Sequence, residues 1–378
     1  MIESAILAHL QSDSNLHKIE SIQGAGQSYA FRAYDNVFAR DLFIKVYWFD
    51  ENHRDSLLSE PRVLADIFQQ KSSSRKHIAA VYGASFIEIQ SETYIVLKME
   101  YCGDATILDE ITEYGLPIHS AVEYTKEILE GLHFLHSSNI YHRDIKPQNI
   151  IASDEGCKII DFGSTIKVSE SGISARVNSI KTLYYAPPES LSSDKEWHSS
   201  SDLYQVGIVL YEMLCGSMMI SNLPIKRGVV GNIEKEYNVL KKDFGEFENS
   251  KLDELNLKKH IEDGTYIQHV FSVPSYVPRK LHSILKKMTN PTASKRYQSC
   301  GDLRTAISQI SIPNWMQLAE DDYAVESWRG KDFRLYKETL SRKESQWRVE
   351  AAKSGSQAFR RSANISSFED GVTYINEL

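Results

Sequence analysis

Apolar and polar positions change their period several times along this chain. Up to about residue 20 the pattern is that of a short helical lead-in. From Ser21 to Tyr47, two β-rich segments, Tyr29-Ala30-Phe31 and Leu42-Phe43-Ile44-Lys45-Val46-Tyr47, flank a turn at Asp35-Asn36, which predicts an antiparallel pair. Asp55 to Gln69 follows a helical period through Leu57, Leu58, Val63, Leu64 and Ile67. Strand-like runs then recur at Ala80-Val81-Tyr82 and Tyr94-Ile95-Val96-Leu97. Between Ser120 and Ser137 an apolar stripe of Val122, Ile128, Leu129, Leu132, Phe134 and Leu135 predicts an amphipathic helix, and helical periods dominate from there. The last part returns to period two at Asp332–Lys337 and Gln346–Ala351, before a closing helix over Ser366–Leu378. Strands with one helix, then helices, then strands again predict an α+β chain whose final segment is a small β-meander cored by Trp315, Trp328 and Trp347.

Composition sets the scale. The chain has 378 residues, 42% hydrophobic and 10% aromatic, enough for a sizeable core and more than one ordinary domain. A formal net charge of −8 argues against a dedicated nucleic-acid binder. The four cysteines, Cys102, Cys157, Cys215 and Cys300, show no C-x-x-C spacing, so they indicate neither a zinc site nor a disulfide framework. The first seven residues carry an acid and no basic start, and no apolar run is long enough to span a membrane. The expectation is a soluble, cytoplasmic protein.

The candidate chemistry lies in His142-Arg143-Asp144-Ile145-Lys146-Pro147-Gln148-Asn149, followed by Asp161-Phe162-Gly163. One carboxylate is available as an acid–base group. An amide and a second carboxylate are hard oxygen ligands suited to Mg²⁺. Upstream, Gly24-Ala25-Gly26 permits a tight turn whose N–H groups can approach phosphate oxygens. Phosphoryl transfer needs this set, because its catalysis is mostly positioning and charge neutralisation.

These motifs resemble those of the protein kinase family, with its catalytic loop H-R-D-x-x-x-x-N and metal loop D-F-G. The resemblance implies a two-lobed fold: a lead-in over 1–20 and a kinase domain over 21–312. The N-lobe would cover 21–99 and the C-lobe 103–312, with a charged, exposed insert at 217–272. Residues 313–378 would form an interaction or capping module outside the family's reach. It implies ATP with Mg²⁺, or Mn²⁺ in its place. Gly24, Gly26 and Lys45 would hold phosphates, and Glu60 would be the counter-ion of Lys45. The hinge residues Glu100 and Cys102 would read the adenine edge, with Met99 at the back of the pocket and Ile151 also lining it. Asp144 would handle the hydroxyl proton, Asn149 and Asp161 would hold metal, and Lys146 and Thr182 would complete a serine/threonine-type loop.

Several positions depart from the family pattern. Tyr29 stands where the third loop glycine is expected, Phe31 at or beside the valine over the adenine, and Phe43 where alanine is usual. Lys181-Thr182-Leu183-Tyr184-Tyr185-Ala186-Pro187-Pro188-Glu189 resembles G-T-x-x-Y-x-A-P-E, with Lys181 for glycine and Pro187 for alanine. Glu189 is expected to pair with Arg296. Asp202 and Gly207 match the D-x-W-x-x-G helix start, with Tyr204 for the tryptophan. Arg143 would order the following loop by pairing with a phosphorylated Ser169, Ser171, Ser174 or Ser179, the last two favoured by position. Partners would be proteins bearing serine or threonine hydroxyls, with regulators docking on the insert or the tail. A catalytically silent scaffold and a small-molecule kinase are the alternative readings.

Overall fold

The computed structural model describes residues 2–22, 28–58, 61–62, 65, 73–153, 155–167, 183–192, 196–216, 255, 257–341 and 344–377. Two compact units emerge. The first joins Met1–Ala105, Glu130–Asp144 and Asn149–Ser171; the second joins Thr106–Leu129, Ile145–Gln148 and Gly172–Leu378.

The first unit is built on a five-stranded antiparallel sheet, in spatial order β1 (Leu16–Ile22), β2 (Tyr29–Asp35), β3 (Arg40–Trp48), β5 (Glu92–Glu100), β4 (Val81–Ile89). Strand β3 shows why one face is closed. Leu42, Ile44 and Val46 are buried and alternate with half-buried Phe43, Lys45 and Tyr47, as the strand period of two requires. The buried face receives α1 (Ile2–Gln11), whose Ile6 and Leu10 enter the core formed with Leu16, Phe31, Ala33, Ile89, Tyr94 and Val96. Full burial of each of those helix side chains contributes about 1.5–3 kcal/mol. The lead-in is therefore part of the sheet's core, and β1 begins at Leu16, before the predicted lobe boundary. The β2–β3 turn forms because Asp35 Oδ1 accepts from the backbone N–H groups of Val37 and Phe38, at 2.9 and 3.2 Å.

The helix expected from Ser120 forms as α2 (Ile118–Ser137). The second unit centres on α3 (Ser199–Cys215), buried along nearly its whole length, against which α4 (Arg279–Met288) packs. A Cβ at Gly207 would meet Thr289 and Met288 atoms at 2.7 and 3.0 Å, so glycine sets this helix spacing. The expected insert needs correction. Residues 217–254 lie outside the described residues, but Leu257, Ile261, Tyr266, Val270 and Phe271 are buried core, not an exposed excursion. The charges flanking them obscured that apolar stripe in the sequence.

After α5 (Cys300–Ser308) comes a second five-stranded antiparallel sheet in simple meander order: β10 (Asn314–Ala319), β11 (Asp322–Trp328), β12 (Lys331–Ser341), β13 (Glu344–Lys353) and β14 (Arg360–Ile365). The helix α6 (Phe368–Glu377) lies against it with Val372 and Ile375 buried, and Gly371 permits the approach, since a Cβ there would meet the Leu335 side chain at 2.6 Å. The meander and closing helix are as the sequence predicts. Its core differs: Trp315 is fully buried, whereas Trp328 and Trp347 are only half-buried, and Val325, Phe333, Leu335 and Val349 fill the interior. Trp315 stacks on Tyr276 at 5.6 Å and donates to Asn376 Oδ1 at 3.0 Å. With His119 N donating to Asn314 Oδ1 at 3.1 Å, the tail is fastened within the second unit.

Candidate active site

Two short ladders position the motif loops in the first unit. β6 (Ile140–Tyr141) pairs with β9 (Ile166–Lys167), and β7 (Ile150–Ile151) pairs with β8 (Lys158–Ile159). The His142–Asn149 loop runs from β6 to β7, and the Asp161–Gly163 loop from β8 to β9, so one pair of ladders fixes both. The bond from Ile160 N to Asn149 O, 2.9 Å, ties them together. Arg143 and Asp161 hold φ values of 71° and 58°, left-handed conformations that non-glycine residues adopt at a cost of order 1–3 kcal/mol.

The side chains meet in pairs. Lys45 Nζ lies 3.1 Å from Asp161 Oδ1, which also accepts from Gly163 N at 3.4 Å. Burial by itself would raise the Asp161 pKa. The Lys45 ammonium beside it, aided by His142 and the Gly163 N–H, outweighs burial and holds it below the usual carboxylate value. Asn149 Nδ2 donates to Asp144 O at 2.8 Å and to Asp144 Oδ2 at 2.9 Å. Its amide nitrogen is thus committed to Asp144, and the amide oxygen is directed elsewhere. Buried His142 accepts from Asp144 N through Nδ1 at 3.3 Å; its Nε2, 3.2 Å from Ile160 O, therefore carries the proton. Phe162 packs edge-on against that ring at 5.4 Å. The sequence offers His142 only as a motif letter, and its bracing role becomes visible only here.

The register of the sheet corrects one expectation and places another. Lys45 stands opposite Ala30 on β2 and Leu97 on β5, while Phe43 stands opposite Arg32 and Met99. Directly opposed residues share a face, so Ala30, Phe43, Lys45 and Met99 lie on one side. Phe31, opposite Ile44, lies on the other and is wholly buried in the core under α1. Phe31 therefore does not cover a nucleotide; Ala30 takes the position of the family's valine. Counting back from Ala30 along G-x-G-x-x-G-x-V puts Ser28 at the third glycine but Gln23 and Ala25 at the first two, whereas counting forward from Gly24 and Gly26 puts Tyr29 there, so loop and strand do not both keep the family's spacing. Gly24 and Gly26 lie outside the described residues, as do Glu60, Thr182 and the serines at 169, 171, 174 and 179.

In the hinge segment, Glu100 N donates to Ala80 O at 2.7 Å, Ala80 N donates to Glu100 Oε2 at 3.0 Å, and Lys158 pairs with the same carboxylate. The Glu100 side chain is a brace between strands. Burial pushes the Cys102 thiol up to about 12, so it stays protonated, and its Sγ lies 3.7 Å from Glu100 O. Ile151, buried, touches the position a Gly103 Cβ would take, at 3.5 Å. Arg32, on the Lys45 face of β2, stacks over Tyr101 at 4.2 Å, a contact without a signature in the residue pattern.

In the second unit, Ile145–Gln148 carries Lys146, and Ile145 N donates to Gln205 Oε1 at 3.0 Å. Arg296 grips Glu189 with two bonds of 2.7 and 2.8 Å. Its remaining donors reach Ser200 O, Asn290 O and Pro291 O, and its guanidinium lies over Tyr204 at 4.7 Å. Ser201 Oγ donates to Glu189 Oε1 at 2.6 Å. Burial would raise the Glu189 pKa, but Arg296 and Ser201 together hold it low. A buried pair with every donor matched is the condition under which such a pair is tolerated at all.

This geometry agrees with the comparisons to known proteins. Residues 35–309 match the family described as "Protein kinase domain", which covers well over half of the chain. The chain belongs to the protein kinase domain family. Similar curated proteins include serine/threonine-protein kinase PknL of Mycobacterium tuberculosis, 30% identical over 57% of this chain and 51% of that protein. Serine/threonine-protein kinase mig-15 of Caenorhabditis elegans is 32% identical over 46% of this chain and 16% of that protein. A probable serine/threonine-protein kinase of Clostridium acetobutylicum is 29% identical over 54% of this chain and 31% of that protein. The chain thus spans about half or less of the length of these relatives.

Proposed function

We propose that this chain is an ATP-dependent serine/threonine protein kinase using Mg²⁺, with Mn²⁺ able to serve the same hard-oxygen set. The observation that carries the reading is the pairing, within one compact unit, of Lys45 with Asp161 and of Asn149 with Asp144. The donor set fits a divalent cation: a carboxylate kept ionised beside an ammonium, and an amide oxygen whose nitrogen is committed elsewhere. Asp161 and Asn149 would hold Mg²⁺ there, where the ion would neutralise phosphate charge.

The chain's own residues do the rest. Lys45 holds phosphate oxygens and keeps Asp161 ionised. Asn149 fixes the rotamer of Asp144, which takes the substrate hydroxyl's proton, and His142 orders the loop that carries it. Lys146 in the loop's K-P-x-N favours a serine or threonine hydroxyl. Phosphorylation within 168–182, answered by Arg143, is the activation step that accompanies this reading. The scaffold alternative loses one of its three supports, since Phe31 is in the core and only Phe43 shares the Lys45 face.

Incubation with labelled ATP, Mg²⁺ and a generic protein substrate tests the reading beside an Asp161→Ala control. Incorporation by the unaltered chain alone is expected; equal incorporation by both would refute it.

A further inference from the structure

The cations of the C-terminal sheet fall into two groups. Arg334, Lys337 and Arg348 each have a carboxylate: Asp322 at 3.5 Å, Asp321 at 3.5 Å, and Glu338. Lys331, Lys353, Arg360 and Arg361 have no such ion pair among the described residues. These four line an open cavity of about 510 Å³ whose floor of small residues includes Gly330, Ala351 and Ala358.

Register explains how they converge. Lys331 stands directly opposite Lys353, so both ammonium groups leave the same face. Arg360 stands opposite Ala351, two residues from Lys353, and joins them on that face, whereas Arg361 stands opposite Glu350 on the other face at the rim. Like charges directly opposed weaken a strand pair. The neighbouring acids do not relieve them. Asp332 accepts from Ser327 N, Ser354 Oγ and Gly355 N at 2.8–3.0 Å, and Glu350 accepts from Tyr336 OH at 3.1 Å. Lys331, Lys353 and Arg360 thus meet around a small-residue hollow with no ion-paired carboxylate among the described residues.

We propose that this basin binds the phosphate of a protein segment carrying phosphoserine or phosphothreonine. Several cations converging on one dianion give the charge-assisted, multiply bonded recognition that such groups receive. Nucleic acid is the weaker match. The basic residues sit at one end of the sheet, while Glu320, Asp321 and Asp322 occupy the β10–β11 end, so no basic track follows a polyanion. The hollow suits one modified side chain and its neighbours. The choice of a phosphorylated hydroxyl rests on the kinase reading, since that chemistry would make such groups.

Fluorescence polarisation with the full chain tests it, using a short degenerate peptide pool with a fixed central phosphoserine, the same pool unphosphorylated, and a single-stranded oligonucleotide. The phosphorylated pool is expected to bind in a salt-sensitive way and the unphosphorylated pool not to. Lys331→Glu places opposite charges across the ladder, so it should weaken phosphopeptide binding by roughly tenfold or more while the melting temperature holds or rises. That pairing separates loss of the site from loss of the fold. Equal binding of both pools, preference for the oligonucleotide, or an unaffected Lys331→Glu variant would overturn the proposal. Binding is read without transfer, so a chain that binds the phosphopeptide but transfers no label would sink the kinase reading and leave this one standing.

Discussion

Two sheets in this molecule share one plan and differ in how their charges are met. Each has five antiparallel strands, and each is capped by one ten-residue helix, α1 on the first and α6 on the second. In both, the helix buries a pair of aliphatic side chains, Ile6 and Leu10 in one, Val372 and Ile375 in the other. In the first sheet, charge on the face away from the helix is matched inside the unit, Lys45 against Asp161. At the end of the second, Lys331, Lys353 and Arg360 have no ion pair among the described residues. An internal counter-charge marks a site whose partners are already assembled, and its absence marks one that completes itself with a ligand.

The largest effect expected to test this comparison is at the matched site. Asp161→Ala should lower phosphoryl transfer by roughly a thousandfold or more, because it removes the proposed metal ligand and the Lys45–Asp161 pair. Initial rates of label transfer check it. Next is the pair that braces the second unit: Arg296→Ala should destabilise the chain by about 3–5 kcal/mol, since Glu189 would remain buried without its partner. A urea titration of that variant measures the loss. Leu10→Ala and Ile375→Ala should each cost about 2–5 kcal/mol, yet only Leu10→Ala should also slow transfer, because its sheet carries Lys45. Equal slowing by both would blur the contrast between the sheets.

The smallest effect is acid sensitivity. Asp161 has a lowered folded pKa, so the stability from its ionised form is present above the ordinary carboxylate value, about 3.9. That stability is lost as pH falls through the lowered folded value. As pH falls below about 4, the urea midpoint of the unaltered chain should therefore fall more steeply than that of Asp161→Asn. Parallel curves would mean that the Lys45 pair contributes nothing to folding.

Much of this was legible in the residues. The motif letters located Asp144, Asn149 and Asp161 because transfer chemistry fixes both their types and their spacing. The tail's meander was legible from period two alone. What the sequence concealed depended on register and on distant partners. Strand pairing puts Phe31 in the core and not on the Lys45 face, and that pairing is not written in the local run of apolar residues. Leu257 to Phe271 looked exposed because charged neighbours diluted an apolar stripe whose partners lie elsewhere in the fold. The basin of Lys331, Lys353 and Arg360 exists only through strand pairing, which brings together residues that are scattered along the chain.

The central claim is that Asp144 handles the proton of a hydroxyl while Asn149 holds it in place. Asp144→Asn keeps the side chain's shape and removes its basicity, so ATP affinity by isothermal titration should stay unchanged while single-turnover transfer falls by roughly 10²–10⁴. Transfer at the unaltered rate in that variant, with nucleotide still bound, would contradict the account.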